Sequence, residues 1–348
     1  MTRPLDRELL RRLPKAELHC HLDCSLRPAT MLDLAMEQGT VMPADDPASL
    51  RAYMRVDDAR DLEDYLERFA ITLSVLQTES ALERAAYELA EDAARDGVRY
   101  IEVRYAPILN VRGGLSLEQA VEAPLRGLER AERDHGIVGR VILCAIRNMM
   151  PSLSREVAEL AVGYRHRGVV GFDLAGGEAR NPARLHAEAF DFARAHDLAC
   201  TCHAGEGDGA ESVREALHDC GAHRLGHATR LIEDAALTDY CNDQRIPLEI
   251  CLTSNVQTHA VQSYEAHPLR EYYRRGLNVV LNTDNRLMSD VTLTDEYLHA
   301  AHDLEFTFEQ LAEIAMNGFE SSFLPPAERM LLAARARAEI DALRAEMV

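Results

Sequence analysis

Eight short apolar segments recur along the 348 residues of this chain, and helical patterns fill most of the intervals between them. Near-continuous apolar runs of this kind are typical of strands that are buried on both faces of a parallel sheet. Eight strands alternating with helices predict an α/β fold, a (β/α)8 TIM barrel in which a ring of helices surrounds the closed sheet. The predicted strands cover residues 16–21, 98–104, 140–146, 169–174, 198–203, 223–227, 246–251 and 277–282.

The interval between the first two strands is much longer than one crossover helix needs. Residues 24–97 fill it. In a barrel, a helical insertion at this position would lie over the catalytic face, so we interpret it as a lid or substrate wall. The alternative is a subdomain that has no role at the active site. Helical patterns within the insertion cover residues 28–38, 61–76 and 79–95.

Further helical patterns follow the eighth strand, at residues 294–304, 307–317 and 326–346. They predict extra C-terminal helices, the last of which packs on the exterior of the barrel. The sequence contains no internal repeat and no low-complexity linker, so residues 1–348 are predicted to form a single domain.

The acidic composition narrows the range of partners. The net charge is −20 and the sequence pI is about 5.1, and such a chain repels nucleic-acid phosphates and anionic membranes. The eight cysteines form no Cys-x-x-Cys pair, and most lie in apolar runs, as reduced core residues do. Residues 1–15 lack an apolar signal core, and no apolar run approaches membrane-spanning length. We therefore expect a cytoplasmic protein with neither nucleic-acid nor membrane partners; no pattern specifies its oligomeric state.

Polar residues stand at the predicted carboxyl ends of four strands, and barrels of this type carry their active sites at that face. His19 and His21 end the first strand and point to the same side of it, because they lie two residues apart. His203 ends the fifth strand, His227 ends the sixth, and Asp284 follows the eighth. Three imidazoles and a carboxylate suit a catalytic zinc ion. His227 is either a further ligand or a group that holds the reacting water. The alternative for His19 and His21 is that backbone partners satisfy both side chains.

A second feature of the predicted site is a carboxylate in a glycine-flanked turn. Glu206 lies three residues after His203, where it can carry a proton beside the metal without ligating it. The alternative is a glutamate that interacts with a helix amino terminus. The same turn, residues 205–210, formally fits the G-x-G-x-x-A pattern of a dinucleotide loop. We disfavour that interpretation, because Glu206 and Asp208 would repel a pyrophosphate and His203 would have no role.

Other polar residues receive weaker assignments. Ser254 and Asn255 close the seventh strand and are candidates for orienting groups near the metal, while His267 in the following loop could face the cleft. Glu102 and Arg104 share one side of the second strand, which predicts a structural ion pair between them.

Several segments occur in a characteristic order and spacing. They are L-P-K-A-E-L-H-C-H-L-D at 13–23, Y-I-E-V-R-Y-A-P at 100–107, D-L-A-G-G-E at 173–178, H-A-G-E at 203–206, R-L-G-H at 224–227, L-N-T-D at 281–284 and S-S-F-L-P at 321–325. Taken together, these segments make the sequence resemble the adenosine deaminase family of the amidohydrolase barrels. The resemblance runs from about residue 13 to residue 330.

The resemblance implies a zinc-dependent hydrolytic deamination of adenosine, and of 2′-deoxyadenosine, to inosine and ammonia. It implies that one zinc ion per chain is bound by four residues and that Glu206 moves the proton. It also implies that His227 and Asp284 hold the attacking water, so that Asp284 is both a ligand and a catalytic residue. The four implied zinc ligands are His19, His21, His203 and Asp284.

The resemblance also implies a purine nucleoside as the small-molecule partner. The backbone of Gly176 would meet the purine ring, Asp23 the ribose 5′-hydroxyl, and Asn285 the purine N7. Two positions depart from the family pattern, because the family usually has Asp at 285 and Gly where Cys24 stands. An Asn amide can still donate to N7 and needs no unusual protonation to do so, whereas a thiol at 24 would reshape the ribose pocket or touch the metal.

Three alternatives stay open. The substrate could be another 6-aminopurine, such as adenine, an N6-substituted adenine, adenosine monophosphate or aminodeoxyfutalosine. A barrel of this kind could instead hydrolyse an ester or lactone with the help of its metal, although that reaction needs no proton donor aimed at a ring nitrogen. A non-catalytic zinc-binding protein would bind the metal without turnover.

Overall fold

Eight parallel strands form one sheet in which each strand pairs with the next one along the chain. The structure, a computed structural model, describes residues 5–57, 60 and 62–347. All eight predicted strands are present, and the last three are shorter than predicted. The strands are β1 (Lys15–His21), β2 (Val98–Tyr105), β3 (Val138–Ile146), β4 (Val169–Ala175), β5 (Ala199–Ala204), β6 (Arg224–His227), β7 (Leu248–Ile250) and β8 (Val279–Leu281).

Helices follow the strands and cover the outside of the sheet, as expected for a (β/α)8 barrel. In chain order they are α1 (Arg7–Arg12), α2 (Pro28–Gln38), α3 (Pro47–Met54), α4 (Leu62–Leu66), α5 (Phe69–Val75), α6 (Glu79–Arg95), α7 (Leu117–His135), α8 (Pro151–Gly163), α9 (Ala187–Ala195), α10 (Ala210–His218), α11 (Ala235–Asp243), α12 (Leu252–Gln257), α13 (Leu269–Arg274), α14 (Leu293–His302), α15 (Phe308–Glu320) and α16 (Pro326–Ala345). None of the helices in the described part of the chain has both the length and the apolar character that a bilayer crossing requires.

Among its described residues, the insertion after β1 holds the five α-helices α2 to α6, and it differs from the prediction in two respects. The single helix predicted over 61–76 is two short helices, and its predicted start at residue 61 lies outside the described residues. Helix α3 was not predicted. Its start has a local cause, because the Asp46 side chain accepts hydrogen bonds from the backbone N–H groups of Ala48 and Ser49.

The barrel closes through the segments that carry predicted metal ligands. The backbone N–H of His21 donates to the carbonyl of Asp284 at 2.7 Å, and the N–H of Asp284 donates to the carbonyl of His19 at 2.9 Å. The side chain of Asn282 adds to this seam, because its oxygen accepts from the N–H of Leu18 at 2.7 Å. The backbone that closes the sheet therefore also fixes the spacing between the ligands on β1 and the ligand after β8.

A network of buried charges crosses the barrel interior beneath the predicted site. Arg104 contacts Asp173 at 3.1 Å and Glu249 at 2.8 Å. Arg224 contacts Glu249 at 2.7 Å and also pairs with Glu102. The predicted Glu102–Arg104 ion pair is therefore wrong. Side chains two residues apart on a strand are separated by about 6.6 Å along it. Oppositely charged side chains on other strands of the barrel lie closer to both Glu102 and Arg104.

We expect the substitution Arg104→Met to lower the free energy of unfolding by about 3–5 kcal/mol, because it leaves buried Asp173 without its arginine and Glu249 with Arg224 alone. Urea unfolding measures the loss. The matched control is Arg344→Met, which removes an exposed ion pair with Glu309 and should cost less than about 1 kcal/mol. Equal losses in the two variants would contradict a structural role for the interior network.

Candidate active site

A cavity of about 880 Å³ opens at the carboxyl end of the barrel. Its polar wall includes His21, His203 and Asp284, from the ends of three different strands. Leu62 and Phe69, from the helical insertion after β1, also line it. The cavity therefore combines a polar floor on the barrel with an apolar wall supplied by the insertion.

Four side chains converge at the floor of this cavity. Each offers one ligand atom, and these atoms all lie within 4.8 Å of one another. Asp284 Oδ1 lies 3.2 Å from the Nε2 atoms of both His19 and His21, and His21 Nε2 lies 3.2 Å from His203 Nε2. All four side chains are buried. The structure thus brings together the four residues that the sequence predicts as metal ligands.

The donor chemistry of this group fits a divalent transition metal. Within the described part of the chain, His19 Nε2 is buried and makes no hydrogen bond of suitable geometry. Burial lowers the pKa of His203 to about 4, so its imidazole is neutral near pH 7 and has a lone pair to donate. Neutral imidazoles with one carboxylate are ligands that zinc accepts.

Two buried carboxylates orient the imidazole rings from behind. His19 Nδ1 lies 3.0 Å from Glu249 Oε2, and His203 Nδ1 lies 3.1 Å from Asp173 Oδ2. Each ring therefore turns its Nε2 toward the common centre, as metal-binding histidines do. This role of the two carboxylates was not predicted from the sequence. A signal was available, because each is a charged residue inside an otherwise apolar strand.

Glu206 and His227 lie beside the four converging residues. Glu206 Oε2 is 3.4 Å from His227 Nε2, and ligand atoms of this pair and of Asp284 lie within 4.8 Å of one another. Thr258 Oγ1 donates a hydrogen bond to Glu206 Oε1 at 3.1 Å. The carboxylate therefore points into the site, as the sequence analysis expected, while the contact with Thr258 was not anticipated.

The hydrogen bonds of His227 indicate which of its nitrogens carries the proton. Asn255 Nδ2 lies 2.9 Å from His227 Nδ1, and Asn255 Oδ1 lies 3.2 Å from His267 Nε2. His267 Nδ1 accepts from the N–H of Leu269 at 3.0 Å, so its Nε2 carries the proton and donates to the amide oxygen. The amide nitrogen then donates to Nδ1 of His227, which carries its own proton on Nε2. A protonated Nε2 faces the site as a donor. This arrangement favours the interpretation of His227 as a group that holds water over that of a further ligand.

The backbone around these residues is held in an uncommon conformation. His227 and Asp284 have φ angles of 61° and 62°, in the left-handed region that non-glycine residues rarely adopt. Such conformations persist where the surrounding structure fixes them, and they cluster at functional sites. Gly226 has a steric role beside them, because a Cβ atom there would lie 3.1 Å from His19 Cε1.

The turn that carries Glu206 is not a phosphate-binding loop. The Glu178 carboxylate accepts hydrogen bonds from the backbone N–H groups of Gly205, Glu206 and Gly207 at 2.7, 2.9 and 2.6 Å. These are amides that a dinucleotide loop would offer to a pyrophosphate. Because an internal carboxylate already occupies them, the G-x-G-x-x-A match is coincidental.

The three residues predicted to contact substrate line the same cavity: Asp23, Gly176 and Asn285. Asp23 Oδ1 and Asn285 Oδ1 are buried and have no hydrogen-bond partner among the described residues, and burial raises the pKa of Asp23. Gly176 has a φ of 96°, and an added Cβ would lie 3.2 Å from Ile146 Cγ2. Cys24 is buried in the apolar core and is not among the residues whose ligand atoms converge in the described site.

Comparisons with known proteins agree with this geometry. A family model described as adenosine deaminase matches residues 14–338. The adenosine deaminase of Mycobacteroides abscessus is 43% identical, over 95% of this chain and 96% of its own length. The structure of an adenine deaminase from Arthrobacter aurescens matches with a TM-score of 0.88 and 29% identity, covering 94% of this chain and 99% of that one. An amidohydrolase structure from Burkholderia ambifaria with bound zinc gives a TM-score of 0.88 at 26% identity, over 98% and 94% of the two chains.

The family match and the bacterial relative both span nearly the whole chain, and the structural matches share its barrel. The similarity is therefore not confined to one motif or to one part of the fold. On these grounds, the chain belongs to the adenosine deaminase family and is a hydrolytic aminohydrolase.

Proposed function

We propose that this protein is a zinc-dependent adenosine deaminase that converts adenosine and 2′-deoxyadenosine to inosine and ammonia, with one zinc ion per chain. The observation that carries the proposal is the position of Glu206 and His227, 3.4 Å apart and directly beside four converging ligand atoms. A carboxylate and a neutral imidazole next to a metal site are the groups that a hydrolytic attack on an aromatic amine requires.

In this proposal, the zinc ion is held by the four converging residues, and it supplies Lewis acidity and an activated water when bound. His19 and His203 are kept in the ligating orientation by their carboxylate partners, Glu249 and Asp173. The chemistry of the donor set and the zinc-bound neighbour from Burkholderia ambifaria both support zinc as the metal.

The protein side chains then handle the protons. His227, through Nε2–H, holds the attacking water over C6 of the purine. Glu206 gives a proton to N1, which makes C6 electrophilic, while the water oxygen forms a bond to C6. One proton of the water passes to the amino group, the C6–N6 bond breaks, and ammonia leaves. The second water proton returns to Glu206, which is thereby protonated for the next turnover. The ring that remains carries a carbonyl at C6 and a hydrogen at N1, which is inosine.

Three other residues of the cavity are proposed to bind the substrate. Asp23 would contact the ribose 5′-hydroxyl, the backbone of Gly176 the face of the purine, and the amide of Asn285 the N7 atom.

We also propose that the 24–97 insertion acts as a lid on a single-domain barrel, because Leu62 and Phe69 line the cavity. Closure of such an apolar wall would exclude bulk water from the reaction.

The buried carboxyl of Asp23 favours a nucleoside over the competing substrates. Its Oδ1 has no partner within the part of the chain that the structure describes, so a 5′-hydroxyl would satisfy it. A free base such as adenine would leave it unpaired, and a 5′-phosphate would bring two negative charges together.

An ultraviolet assay with purified enzyme tests the proposal. The panel contains adenosine, 2′-deoxyadenosine, adenine, N6-methyladenosine, adenosine monophosphate and aminodeoxyfutalosine, with a simple ester and a lactone as the second class. We expect the largest kcat/KM with adenosine and one zinc per chain by elemental analysis. A larger kcat/KM for another compound would overturn the substrate assignment, and bound zinc without turnover of any compound would indicate a non-catalytic protein.

We expect Asn285→Ala to raise KM for adenosine by roughly 3–10-fold, since one neutral hydrogen bond to N7 contributes about 0.5–1.5 kcal/mol. The comparison substrate in steady-state kinetics is 7-deazaadenosine, which has no N7 acceptor. The KM for this compound should differ little between wild type and Asn285→Ala. Asn148 also lines the cavity, and Asn148→Ala should not discriminate between the two nucleosides. An equal effect of Asn285→Ala on both would remove N7 as its partner.

A further inference from the structure

One short helix and the residue that caps its carboxyl end supply the hydrogen-bond partners of a proposed metal ligand and of two proposed catalytic groups. Ser254 Oγ, on α12, donates to Asp284 Oδ2 at 2.7 Å. From the same segment, Asn255 holds His227 and Thr258 holds Glu206, at the distances given above. A shift of α12 as a unit would therefore displace a metal ligand, the water-holding imidazole and the proton donor together.

Helix α12 has only six residues, from Leu252 to Gln257. Helices this short are not stable by themselves in water, because one or two turns do not repay the cost of nucleation. Something outside the helix must therefore set its position. The first backbone N–H groups of a helix have no partner within it, so its amino end is the point where an outside group can hold it.

Glu296 is that outside group. It lies on α14, its side chain is buried, and its Oε2 accepts a hydrogen bond from the N–H of Leu252 at 2.7 Å. Its Oε1 accepts from the N–H of Thr253 at 3.2 Å. A carboxyl at the amino end of a helix also interacts favourably with the helix dipole. Burial raises the pKa of Glu296 to about 8. A buried carboxyl carries a desolvation cost that an apolar residue at this position would avoid.

We propose that Glu296 is a positioning residue for the deamination reaction, acting through α12 on Asp284, His227 and Glu206. The proposal rests on the proposed function, since it concerns the same site. Glu296 is not among the described residues that line the cavity, and its carboxyl accepts from backbone N–H groups of α12. Its effect on catalysis comes from fixing one helix, which in turn aligns a metal ligand, a water-holding group and a proton donor relative to one another.

The experiment compares Glu296→Ala and Glu296→Gln with a control on the same helix. The control, Asp295→Ala, removes the capping box at the start of α14 and the contact with Arg7, and it leaves the bonds to α12 in place. Each variant is assayed for kcat and KM with adenosine, for zinc content, for thermal midpoint, and for hydrogen exchange in the peptide that covers α12. The exchange measurement does not depend on activity.

We expect Glu296→Ala to lower kcat by about 10–100-fold while KM stays within about threefold, because positioning acts on the chemical step. Exchange in α12 should accelerate, and zinc should remain bound through the four ligands. Glu296→Gln keeps one acceptor oxygen and should recover most of the loss, with kcat about 3–10-fold below wild type. Asp295→Ala should lower the thermal midpoint but leave kcat and α12 exchange unchanged.

Different outcomes would overturn the proposal. These are a kcat for Glu296→Ala that equals that of wild type, unchanged α12 exchange in that variant, or an equal fall in kcat for Asp295→Ala. If Glu296→Ala does not fold, Glu296→Gln decides by the same criteria. An inactive wild-type enzyme whose α12 exchange still responds to Glu296→Ala would overturn the deaminase assignment and leave the structural part of the inference intact.

Discussion

Replacing Glu206 by Gln is expected to lower kcat for adenosine by roughly 10²–10⁴-fold while zinc stays bound. The range is what a positioned general acid or base contributes to a rate. The amide keeps the size of the side chain and an oxygen that can accept from Thr258, so the geometry should survive. It has no acidic proton to give to N1, and it cannot carry one to the departing amino group.

Steady-state kinetics and elemental analysis of the same preparation check this prediction. The matched control is Asp208→Asn, an exposed carboxylate two residues further along the same turn. Its side-chain oxygen accepts from the N–H of Gly209 at 2.7 Å, and an amide oxygen can do the same, so its activity should match wild type. Activity of Glu206→Gln within tenfold of wild type would remove Glu206 from the proton-transfer role. Loss of zinc in this variant would instead indicate that Glu206 supports the metal.

The fold could be predicted because its strands have a strong local signature. Each strand is an apolar run buried on both faces, and eight such runs in series leave few arrangements other than a barrel. The insertion was predicted less well. Helices α3, α4 and α5 have eight, five and seven residues, which is too short for a 3.6-residue period to identify their number and ends.

The metal-binding residues could be predicted for a different reason. In a parallel barrel, the carboxyl ends of all strands meet at one face, so residues far apart in sequence, such as His19 and His203, are brought together by topology alone. Locating the strand ends in the sequence was therefore enough to predict that these side chains converge, and in the structure they do.

The partners of those residues could not be predicted in the same way. Glu249 reaches His19, and Glu178 reaches the amides of the turn at 205–207. These contacts depend on the direction and length of side chains inside the barrel, which no local period encodes. The wrong Glu102–Arg104 pair shows the limit of local spacing, since Arg224 and Asp173 approach across the interior.

The second large effect is expected for His203→Ala, which should abolish zinc retention and with it the deamination. Loss of an outer partner of a zinc ligand typically costs 10–100-fold in metal affinity, and loss of a ligand itself should cost more. The substitution also leaves the Asp173 carboxylate without its imidazole partner at 3.1 Å. Its remaining cation, Arg104, keeps that carboxylate paired, so the barrel should still fold.

Elemental analysis after dialysis, together with circular dichroism, distinguishes metal loss from unfolding. The comparison variant is His186→Gln, which changes a buried histidine outside the site. His186 Nδ1 lies 2.7 Å from Ser154 Oγ, and its Nε2 lies 3.1 Å from the carbonyl of Arg147. We expect His186→Gln to keep one zinc per chain and near-normal activity. Full zinc retention by a folded His203→Ala variant would contradict ligation by His203. The ion would then be held by the ligands at the ends of β1 and β8 without β5, and the proposed four-ligand site for water activation would be wrong.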